Sequence, residues 1–383
     1  MSKRQTLDLV SNLILAVAAV FVIASEWPRA LPGDDLWDFG SFVASGRAAR
    51  EGLNPYGVYP LTLHVSFPGF EAWNPNLNPP ISALLFQLFD LADPHISFRI
   101  WWAMSVLCYA ATVLILLKRY GRPDWWALLP WAFALAGFWD TLVLGQIYLP
   151  LVLAGSAAWL LLERGESRWA GLLIGLLVAM KPNFLVWPVL LFLSGYRLPA
   201  LISIATAAVV SAVPLLVMGP EVYRQWFELI ASDRERAFFL TNASLVGLTA
   251  RMGLPSLGLW LGLAMLAGSA VWALRVRPTA LQASALALLL ALLASPIAWI
   301  HYTLFLLPVL FSRWRMTGIR VVAALLIVPV PFILDRFGQP AWVQVTSGSL
   351  YNWALVLCLV ALLMNGRNEW SRTSEVKVQP AAS

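Results

Sequence analysis

Three ionisable residues stand where they could carry chemistry in a mostly apolar chain: Asp38, Lys181 and His301. A carboxylate at a membrane boundary, such as Asp38, can act as a general base that takes a proton from an acceptor hydroxyl while a bond to a sugar forms. Lys181 interrupts an apolar stretch, where its ammonium group could hold a phosphate as a point charge. His301 follows an apolar span and could relay protons or hydrogen-bond a phosphate. Together the three side chains could supply a base, a cation and a proton relay.

Each of these residues also has a purely structural interpretation. Asp34, Asp35 and Asp38 could form a solvated cluster that caps a helix. Lys181 could extend to the interface from an ordinary cytoplasmic turn. His301 could serve only as a structural histidine at a membrane boundary. The spacing of the residues leaves both interpretations open.

Amides and arginines near predicted span ends form a second group of candidates. Gln146 and Asn242 could orient a hydroxyl-rich ligand, or they could satisfy backbone groups at a helix terminus. Arg234, Arg236 and Arg251 flank Asn242 in the sequence and could neutralise a phosphate. These residues are therefore candidates for substrate binding.

The composition places these candidates in a membrane protein. Hydrophobic residues make up 60% of the chain and charged residues 12%, and apolar runs long enough to cross a bilayer recur along its whole length. The runs are rich in Leu, Ala and Val and lack the period-two alternation of a barrel wall. We therefore predict an all-α, polytopic membrane helix bundle of about 12 transmembrane segments.

The predicted spans place both chain ends in the cytoplasm. Lysines and arginines concentrate on that side, as the positive-inside rule requires, whereas most carboxylates fall outside. The first span lacks a small-x-small cleavage site, so we predict a retained helix rather than a signal peptide. The spans lie near residues 7–27, 98–117, 125–142, 147–162, 169–194 as a pair of short segments, 199–218, 255–274, 280–300, 302–311, 319–334 and 350–364.

Two predicted external segments are long, residues 28–97 and 219–254, so function is expected on the outer face. Residues 38–50 predict a short helix with Asp38 near its amino end. Pro79-Pro80 and the short apolar run that follows predict an interfacial helix along the membrane surface. The predicted division of the chain is one transmembrane domain, residues 1–366, and a disordered cytoplasmic tail, residues 367–383.

Several classes of function are disfavoured. Cys108 and Cys358 both fall in apolar spans, so the sequence predicts neither a disulfide framework nor a metal cluster. The net charge is +6, but the basic residues are scattered at span ends, and no nucleic-acid partner is predicted. The sequence contains no Walker A, HExxH or GxSxG motif. We predict no cofactor and no metal.

Seven short motifs follow one another along the chain in an order that is typical of one enzyme family. They are Asp38 before an aromatic-rich helix, Gly52-Leu53-Asn54-Pro55-Tyr56, Pro79-Pro80 before an apolar helix, Gly145-Gln146, Gly171 to Lys181-Pro182, Asn242-x-Ser244, and Ser295-Pro296 to His301-Tyr302. In this order they resemble glycosyltransferase family 87, whose members are multi-spanning GT-C enzymes that include polyprenyl-phosphate-mannose-dependent mannosyltransferases. The resemblance covers about residues 7–311.

The resemblance implies a GT-C architecture and assigns roles to the candidates. Asp38 is the expected catalytic base, with Asp34 and Asp35 left to capping or solvation. His301 is similar to the histidine that such enzymes place at the donor phosphate or in the proton relay, and Lys181 is similar to the family lysine after a short re-entrant segment. The residues expected to bind the donor phosphate or substrate are Lys181, Gln146, Asn242, Arg251, Tyr302 and Asn78.

The implied activity is transfer of a sugar, with mannose expected, from a polyprenyl-phosphate donor to a glycolipid or glycan acceptor. The expected location is the outer face of a bacterial cell membrane, and no covalent enzyme intermediate is expected. An alternative is a transporter or a flippase for lipid-linked sugars, since these also carry charged groups at membrane depth. A non-catalytic assembly subunit would leave Asp38, Lys181 and His301 far apart. The sequence leaves open the acceptor, the polyprenol length, the oligomeric state and any assistance to Asp38 from Asp34 or Asp35.

Overall fold

The computed structural model describes residues 3–68, 70–232 and 235–373. Within these ranges the chain is mostly helical, as predicted, and it contains one pair of short strands that was not predicted. The last helix continues to Thr373, into the segment predicted as a disordered tail. The rest of that tail and the candidate Arg234 lie outside the described residues.

The amino-terminal part of the chain confirms two predicted short helices. A helix follows Leu36 and contains Asp38 in its first turn, and another begins at Pro80 and continues into a 3-10 turn, Gln87–Asp90. That the second helix lies along a membrane surface stays a prediction. The elements are α1 (Lys3–Ala30), α2 (Trp37–Arg50), β1 (Leu63–Phe67), β2 (Phe70–Asn74), α3 (Pro80–Phe86), α4 (Pro94–Tyr120), α5 (Trp125–Ala134) and α6 (Ala136–Leu144).

The remainder of the chain includes the predicted pair of short helices around Lys181. The helix before Lys181 ends at Met180, and Pro182 opens a 3-10 turn that leads into the next helix. Proline lacks the N–H that would continue the helix, which explains the break. The elements are α7 (Tyr148–Glu163), α8 (Ser167–Met180), α9 (Val186–Leu193), α10 (Arg197–Met218), α11 (Glu221–Ser232), α12 (Leu245–Arg251), α13 (Pro255–Val276), α14 (Ala280–Leu293), α15 (Leu307–Ser312), α16 (Thr317–Leu326), α17 (Val330–Leu334), α18 (Ala341–Val345) and α19 (Leu350–Thr373).

Six helical segments among the described residues are long and apolar enough to cross a membrane. The other predicted spans correspond to helices of 10–17 residues, so the number twelve stays a prediction. Several of these helices are short because the chain breaks inside a predicted span, as it does between α14 and the 3-10 turn Ile300–Leu306. The six segments are Gln5–Ala30, Pro94–Tyr120, Trp125–Leu144, Arg197–Met218, Pro255–Val276 and Ala341–Met364.

The unpredicted strands β1 and β2 form an antiparallel hairpin in the loop between α1 and α4. Their side chains alternate between partly buried and exposed, which is the period-two pattern of a half-buried strand. Ser41 of α2 accepts a hydrogen bond from the Leu63 backbone at 2.9 Å, and Phe67 stacks on Phe337 with ring centroids 5.2 Å apart. The hairpin is therefore anchored at both ends, and it covers the site described below.

A glycine in the left-handed conformation ends α6 and packs closely against the loop between α1 and α4. Gly145 has φ +65°, and a Cβ at this position would lie 2.6 Å from the Phe39 Cβ and 2.8 Å from a Phe98 ring atom. Both the backbone conformation and the close approach therefore require glycine. The turn brings Gln146 against α2 and starts α7 two residues later, at Tyr148.

An aromatic cluster fixes α2 against its neighbours. Phe39, Phe42 and Phe86 are all almost fully buried, and Phe39 also packs on Phe98 at 5.3 Å between ring centroids. Burying side chains of this size stabilises the contact by about 1.5–3 kcal/mol each. The packing holds the first turn of α2, and with it Asp38, in a defined position.

Candidate active site

A cavity of about 720 Å³ lies beneath the hairpin, where the α1–α4 loop meets the ends of the bundle helices. Five of the eight residues to which the resemblance assigns a role line it, although they come from separate parts of the sequence. Three predicted residues, Asn242, Arg251 and Tyr302, are not among the residues that line it. The five are Asp38, Asn78, Gln146, Lys181 and His301.

Asp38 is held by two amide groups on the cavity wall. Its side chain is buried, the Asn74 amide donates to one carboxylate oxygen, and Gln146 Nε2 donates to the other at 2.5 Å. Burial raises the pKa of Asp38 to about 6, although both amides and the charges of Arg236 and Lys181 oppose that rise. A carboxylate of this kind is a stronger base than an exposed aspartate and is still mostly ionised at neutral pH.

Arg236 orients the amide that contacts Asp38. Its guanidinium donates to the Asn74 side-chain oxygen and, at 2.5 Å, to the Trp73 carbonyl. Because the Asn74 oxygen is occupied by this cation, its NH₂ group is left to face Asp38. Arg236 was predicted as a phosphate partner, and the structure places it in the cavity wall with this orienting role.

Lys181 is buried and extends into a polar corner of the cavity. Its ammonium group lies 2.6 Å from the Asn78 side-chain oxygen, 2.8 Å from the Tyr148 hydroxyl and 5.2 Å from the centroid of the Tyr302 ring. None of these partners carries a negative charge. An ammonium group without a carboxylate partner at this position can attract an anionic ligand.

His301 shares its environment with the same tyrosine. The two rings stack with centroids 4.9 Å apart and an interplanar angle of 25°. His301 Nδ1 lies 3.4 Å from a carboxylate oxygen of Asp140, but the alignment is too poor for a hydrogen bond. The imidazole is therefore placed by Tyr148 on its face and by Asp140 at its edge.

One turn of chain, residues 145–148, connects the separate parts of the cavity. Gln146 contacts Asp38, while Tyr148, two residues later, contacts both Lys181 and His301. The three ionisable candidates are thus brought to one cavity, as a catalytic role requires. The arrangement contradicts the assembly-subunit alternative, which predicts that they lie far apart.

Tyr302 lies behind the cavity wall rather than on it. Its ring packs against Tyr148 at 4.8 Å and stacks on Phe184 at 6.1 Å between centroids. It is buried and supports the rings that surround Lys181. In the structure it therefore has a supporting position, and its role in substrate binding stays a prediction.

Asn242 and Arg251 belong to a second buried polar group, the Arg251 cluster (Asn242, Ser244, Arg251, Ser349 and Asn352). The Asn242 amide donates to the Ala237 and Pro296 carbonyls and accepts from the backbone of Ser244 and Ala298. Arg251 donates to the Phe239 and Asn242 carbonyls and to Ser349 and Asn352. In the structure these side chains therefore hold mainly backbone, including the segment just before His301, and their predicted contacts with a ligand stay a prediction.

Three residues that the described site uses were missed by the sequence reasoning. Asp140 lies inside the apolar helix α6, Asn74 lies in the unpredicted strand β2, and Tyr148 begins α7. Asp140 carries the signal that singled out Lys181, an ionisable side chain within a span. Asn74 has no such signal, because an asparagine in a loop is unremarkable. Among the described residues, no group of three or more His, Cys, Asp or Glu side chains could hold a metal ion.

Comparisons with known proteins give one family. The model of glycosyltransferase family 87 matches residues 76–296, more than half of the chain, and confirms the resemblance inferred from motif order. Lys181 and Gln146 lie within the match, whereas Asp38 and His301 lie outside it. No solved structure matches the chain.

The curated relatives are mycobacterial enzymes. A polyprenol-phosphate-mannose-dependent alpha-(1-2)-phosphatidylinositol pentamannoside mannosyltransferase from Mycobacterium tuberculosis is 27% identical and covers 98% of this chain and 90% of its own length. Its counterpart from Mycolicibacterium smegmatis is 25% identical, covering 93% and 90%. A phosphatidylinositol mannoside mannosyltransferase from the same species is 28% identical and covers 76% of each chain. The similarity therefore extends over nearly the whole chain.

Proposed function

The chain belongs to glycosyltransferase family 87, and from this premise we propose that it transfers mannose from a polyprenyl-phosphate donor to a mannosylated glycolipid acceptor at the outer membrane face. The relatives' names support a polyprenol-phosphate-dependent glycosyltransferase, with phosphatidylinositol mannosides as the acceptors of those relatives. The apolar helices support an integral membrane protein, and the mycobacterial relatives support a bacterial one. The choice of mannose, the acceptor class and the outer face belong to the proposal.

The observation that carries the proposal is the presence of a buried base and a buried cation in one cavity. Asp38 is held by Asn74 and Gln146, and the hydrogen-bond partners of Lys181 within the described part of the chain, Asn78 and Tyr148, are neutral. A sugar phosphate in this cavity would meet a proton acceptor on one side and a positive charge on the other. Transfer from a phosphate leaving group needs both of these.

In the proposed reaction, the acceptor hydroxyl attacks the anomeric carbon of the donor sugar in a single displacement. Asp38 takes the hydroxyl proton as the new carbon–oxygen bond forms. The bond between the anomeric carbon and the phosphate oxygen breaks, and polyprenyl phosphate leaves with the electron pair. Lys181 stabilises the charge that grows on the phosphate. No residue becomes bonded to the sugar, and Gln146 and Asn74 keep Asp38 aligned with the hydroxyl.

The test is an incubation of the purified full-length protein with a panel of polyprenyl-phosphate sugars and mannosylated phosphatidylinositol acceptors. Loss of polyprenyl-phosphate mannose together with formation of a heavier glycolipid supports the proposal. Reaction with another donor of the panel would correct the sugar. Movement of intact donor across reconstituted vesicles, without any glycolipid product, would favour the flippase alternative and overturn the proposed function.

A further inference from the structure

Asp140 is a carboxylate inside an apolar helix, and the proposed reaction does not use it. It stands in α6 between Trp139 and Thr141, in a segment long and apolar enough to cross a membrane. Its side chain is 11% exposed and lines the cavity. A carboxylate in a span is costly unless it faces a cavity and interacts with another polar group. Its partner therefore indicates its role.

The imidazole of His301 is that partner. His301 Nδ1 lies 3.4 Å from Asp140 Oδ2 and makes no hydrogen bond within the described part of the chain. A buried imidazole nitrogen without a hydrogen bond is unfavourable, so a small rotation that completes this contact would be stabilising. Catalytic hydrogen bonds are often long before substrate binds and tighten afterwards. The geometry fits a pair that closes on a bound donor.

The other charged groups near Asp140 already have hydrogen-bond or ion-pair partners. The charged side chains that act on Asp140 from neighbouring elements are Asp38 of α2 and Arg29 and Glu26 of α1. Arg29 is paired with Glu26 at 2.5 Å, and Asp38 is held by its two amides. Tyr148 stacks on the His301 ring and fixes its plane. Because Nδ1 faces Asp140, the Nε2 edge faces away from it.

We propose that Asp140 is a positioning residue that holds a proton on His301, so that the Nε2–H group can donate to the leaving phosphate oxygen of the donor. The inference rests on the proposed function and adds a second stabilising group to it. In the productive state both ring nitrogens carry a proton: Nδ1–H donates to the Asp140 carboxylate, and Nε2–H donates to the phosphate oxygen. Neither side chain becomes bonded to the sugar or to the phosphate. As the sugar–phosphate bond breaks, the phosphate oxygen gains negative charge, and a hydrogen bond to it strengthens. The contribution therefore belongs to the chemical step more than to donor binding.

The experiment compares the full-length wild type with Asp140→Asn, His301→Ala and the double variant, with polyprenyl-phosphate mannose and a mannosylated phosphatidylinositol acceptor. We expect Asp140→Asn to lower kcat by about tenfold or more and to change the donor KM by less than about twofold. In the His301→Ala background, the same substitution should lower kcat by less than about twofold, since the partner is already absent. Asp34→Asn, which changes an exposed carboxylate that is not among the residues lining the cavity, is the matched control.

Equal losses in both backgrounds, or a loss confined to the donor KM, would overturn the role of Asp140. Should Asp140→Asn not purify as a folded protein, Asp140→Glu replaces it, because it keeps the charge and displaces the carboxyl group by one methylene. Its effect on kcat should likewise appear with His301 present and nearly vanish beside His301→Ala, and equal effects in both backgrounds overturn the proposal. An inactive wild type with every donor of the panel overturns the proposed function and this inference with it, so the two failures are distinguishable.

Discussion

Two buried polar groups lie close together in this protein and differ in what satisfies them. In the cavity cluster, defined as Asp38, Lys181 and His301, the contacts are made by side chains around an open volume. Amides hold Asp38, Asn78 and Tyr148 contact Lys181, and Tyr148 and Asp140 flank His301. In the Arg251 cluster, Asn242 and Arg251 bind mainly backbone carbonyls and amides. Both groups contain residue types that recognise phosphates and sugars.

The difference shows how a binding residue is distinguished from a structural one. A polar side chain that already makes its hydrogen bonds to backbone and to neighbouring side chains, as Asn242 and Arg251 do, has little capacity left for a ligand, and it stabilises the fold. A charged side chain that meets only neutral partners beside a cavity keeps a preference for an opposite charge. The comparison predicts that substitutions in the cavity cluster reduce turnover, while those in the Arg251 cluster reduce stability.

The largest effect is expected from Asp38→Asn. The amide has nearly the same shape but cannot accept the hydroxyl proton, so kcat should fall by about 10³-fold. Thermal stability in detergent should stay close to that of the wild type. Turnover in a mannose-transfer assay is the measurement, and the exposed Asp34→Asn is the control. Retained turnover would remove Asp38 from the mechanism.

The second largest effect is expected from Lys181→Met, which should lower kcat/KM by about a hundredfold. Methionine fills a similar volume but removes the charge that stabilises the phosphate, and a charge-assisted hydrogen bond contributes about 1.5–3 kcal/mol. Initial rates measured over a range of donor concentrations give this value. Lys118→Met alters an exposed lysine at the end of α4, outside the cavity, and serves as the matched control.

Arg251→Met tests the prediction that substitutions in the Arg251 cluster reduce stability rather than turnover. It leaves the Phe239 and Asn242 carbonyls and the Asn352 oxygen without their cationic donor, so we expect destabilisation by about 3 kcal/mol. Turnover per folded molecule should change by less than about threefold. The measurements are Tm in detergent and kcat normalised to the monodisperse fraction. A large loss of turnover at unchanged Tm would instead place Arg251 with the ligand-binding residues.

The pH dependence of turnover should follow the ionisation of Asp38, whose pKa is raised by burial. Its pKa is raised to about 6, and only the ionised form can accept a proton. Turnover should therefore fall about tenfold between pH 7 and pH 5. Stability has the opposite sign: the protonated form favours folding, and this contribution is lost as pH rises from the ordinary value of 3.8 towards about 6. A flat rate profile over this range would contradict the assignment of the base.

The smallest effect is expected from Tyr148→Phe. The ring that stacks on His301 remains, whereas the hydroxyl that lies 2.8 Å from Lys181 is lost. A neutral hydrogen-bonding partner contributes about 0.5–1.5 kcal/mol, so kcat/KM should fall by about fivefold. Tyr148→Leu removes the stacking as well and should lose more. Equal losses in the two variants would mean that the ring does not position His301.

Much of this site could be predicted from residue types in an apolar context. Lys181 and His301 stand out because ionisable side chains in membrane segments are rare, and Asp38 because it begins an aromatic-rich helix. The same rule applied to α6 would have identified Asp140, which was passed over inside a predicted span. The break at Lys181-Pro182 followed from the chemistry of proline and was confirmed.

Other parts could not be predicted, because they depend on contacts between distant segments. The types of Asn242 and Arg251 suit both ligand binding and backbone support, and only their partners decide between these roles. The hairpin of β1 and β2 is formed by two strands of five residues each, too short for their alternation to stand out in a proline-rich loop. Asn74 became a site residue only through that hairpin.

The left-handed turn at Gly145 ties the spacing between Asp38 and Lys181 to three consecutive residues, 146–148. Gln146 contacts Asp38 and Tyr148 contacts Lys181, so these two parts of the cavity cannot move apart without distorting a single rigid turn. The hairpin that covers the cavity, residues 63–67 and 70–74, is far from this turn in the sequence and is not part of it. If the cavity binds the acceptor as proposed, changes in the hairpin would alter acceptor preference while the spacing between Asp38 and Lys181 stays constant.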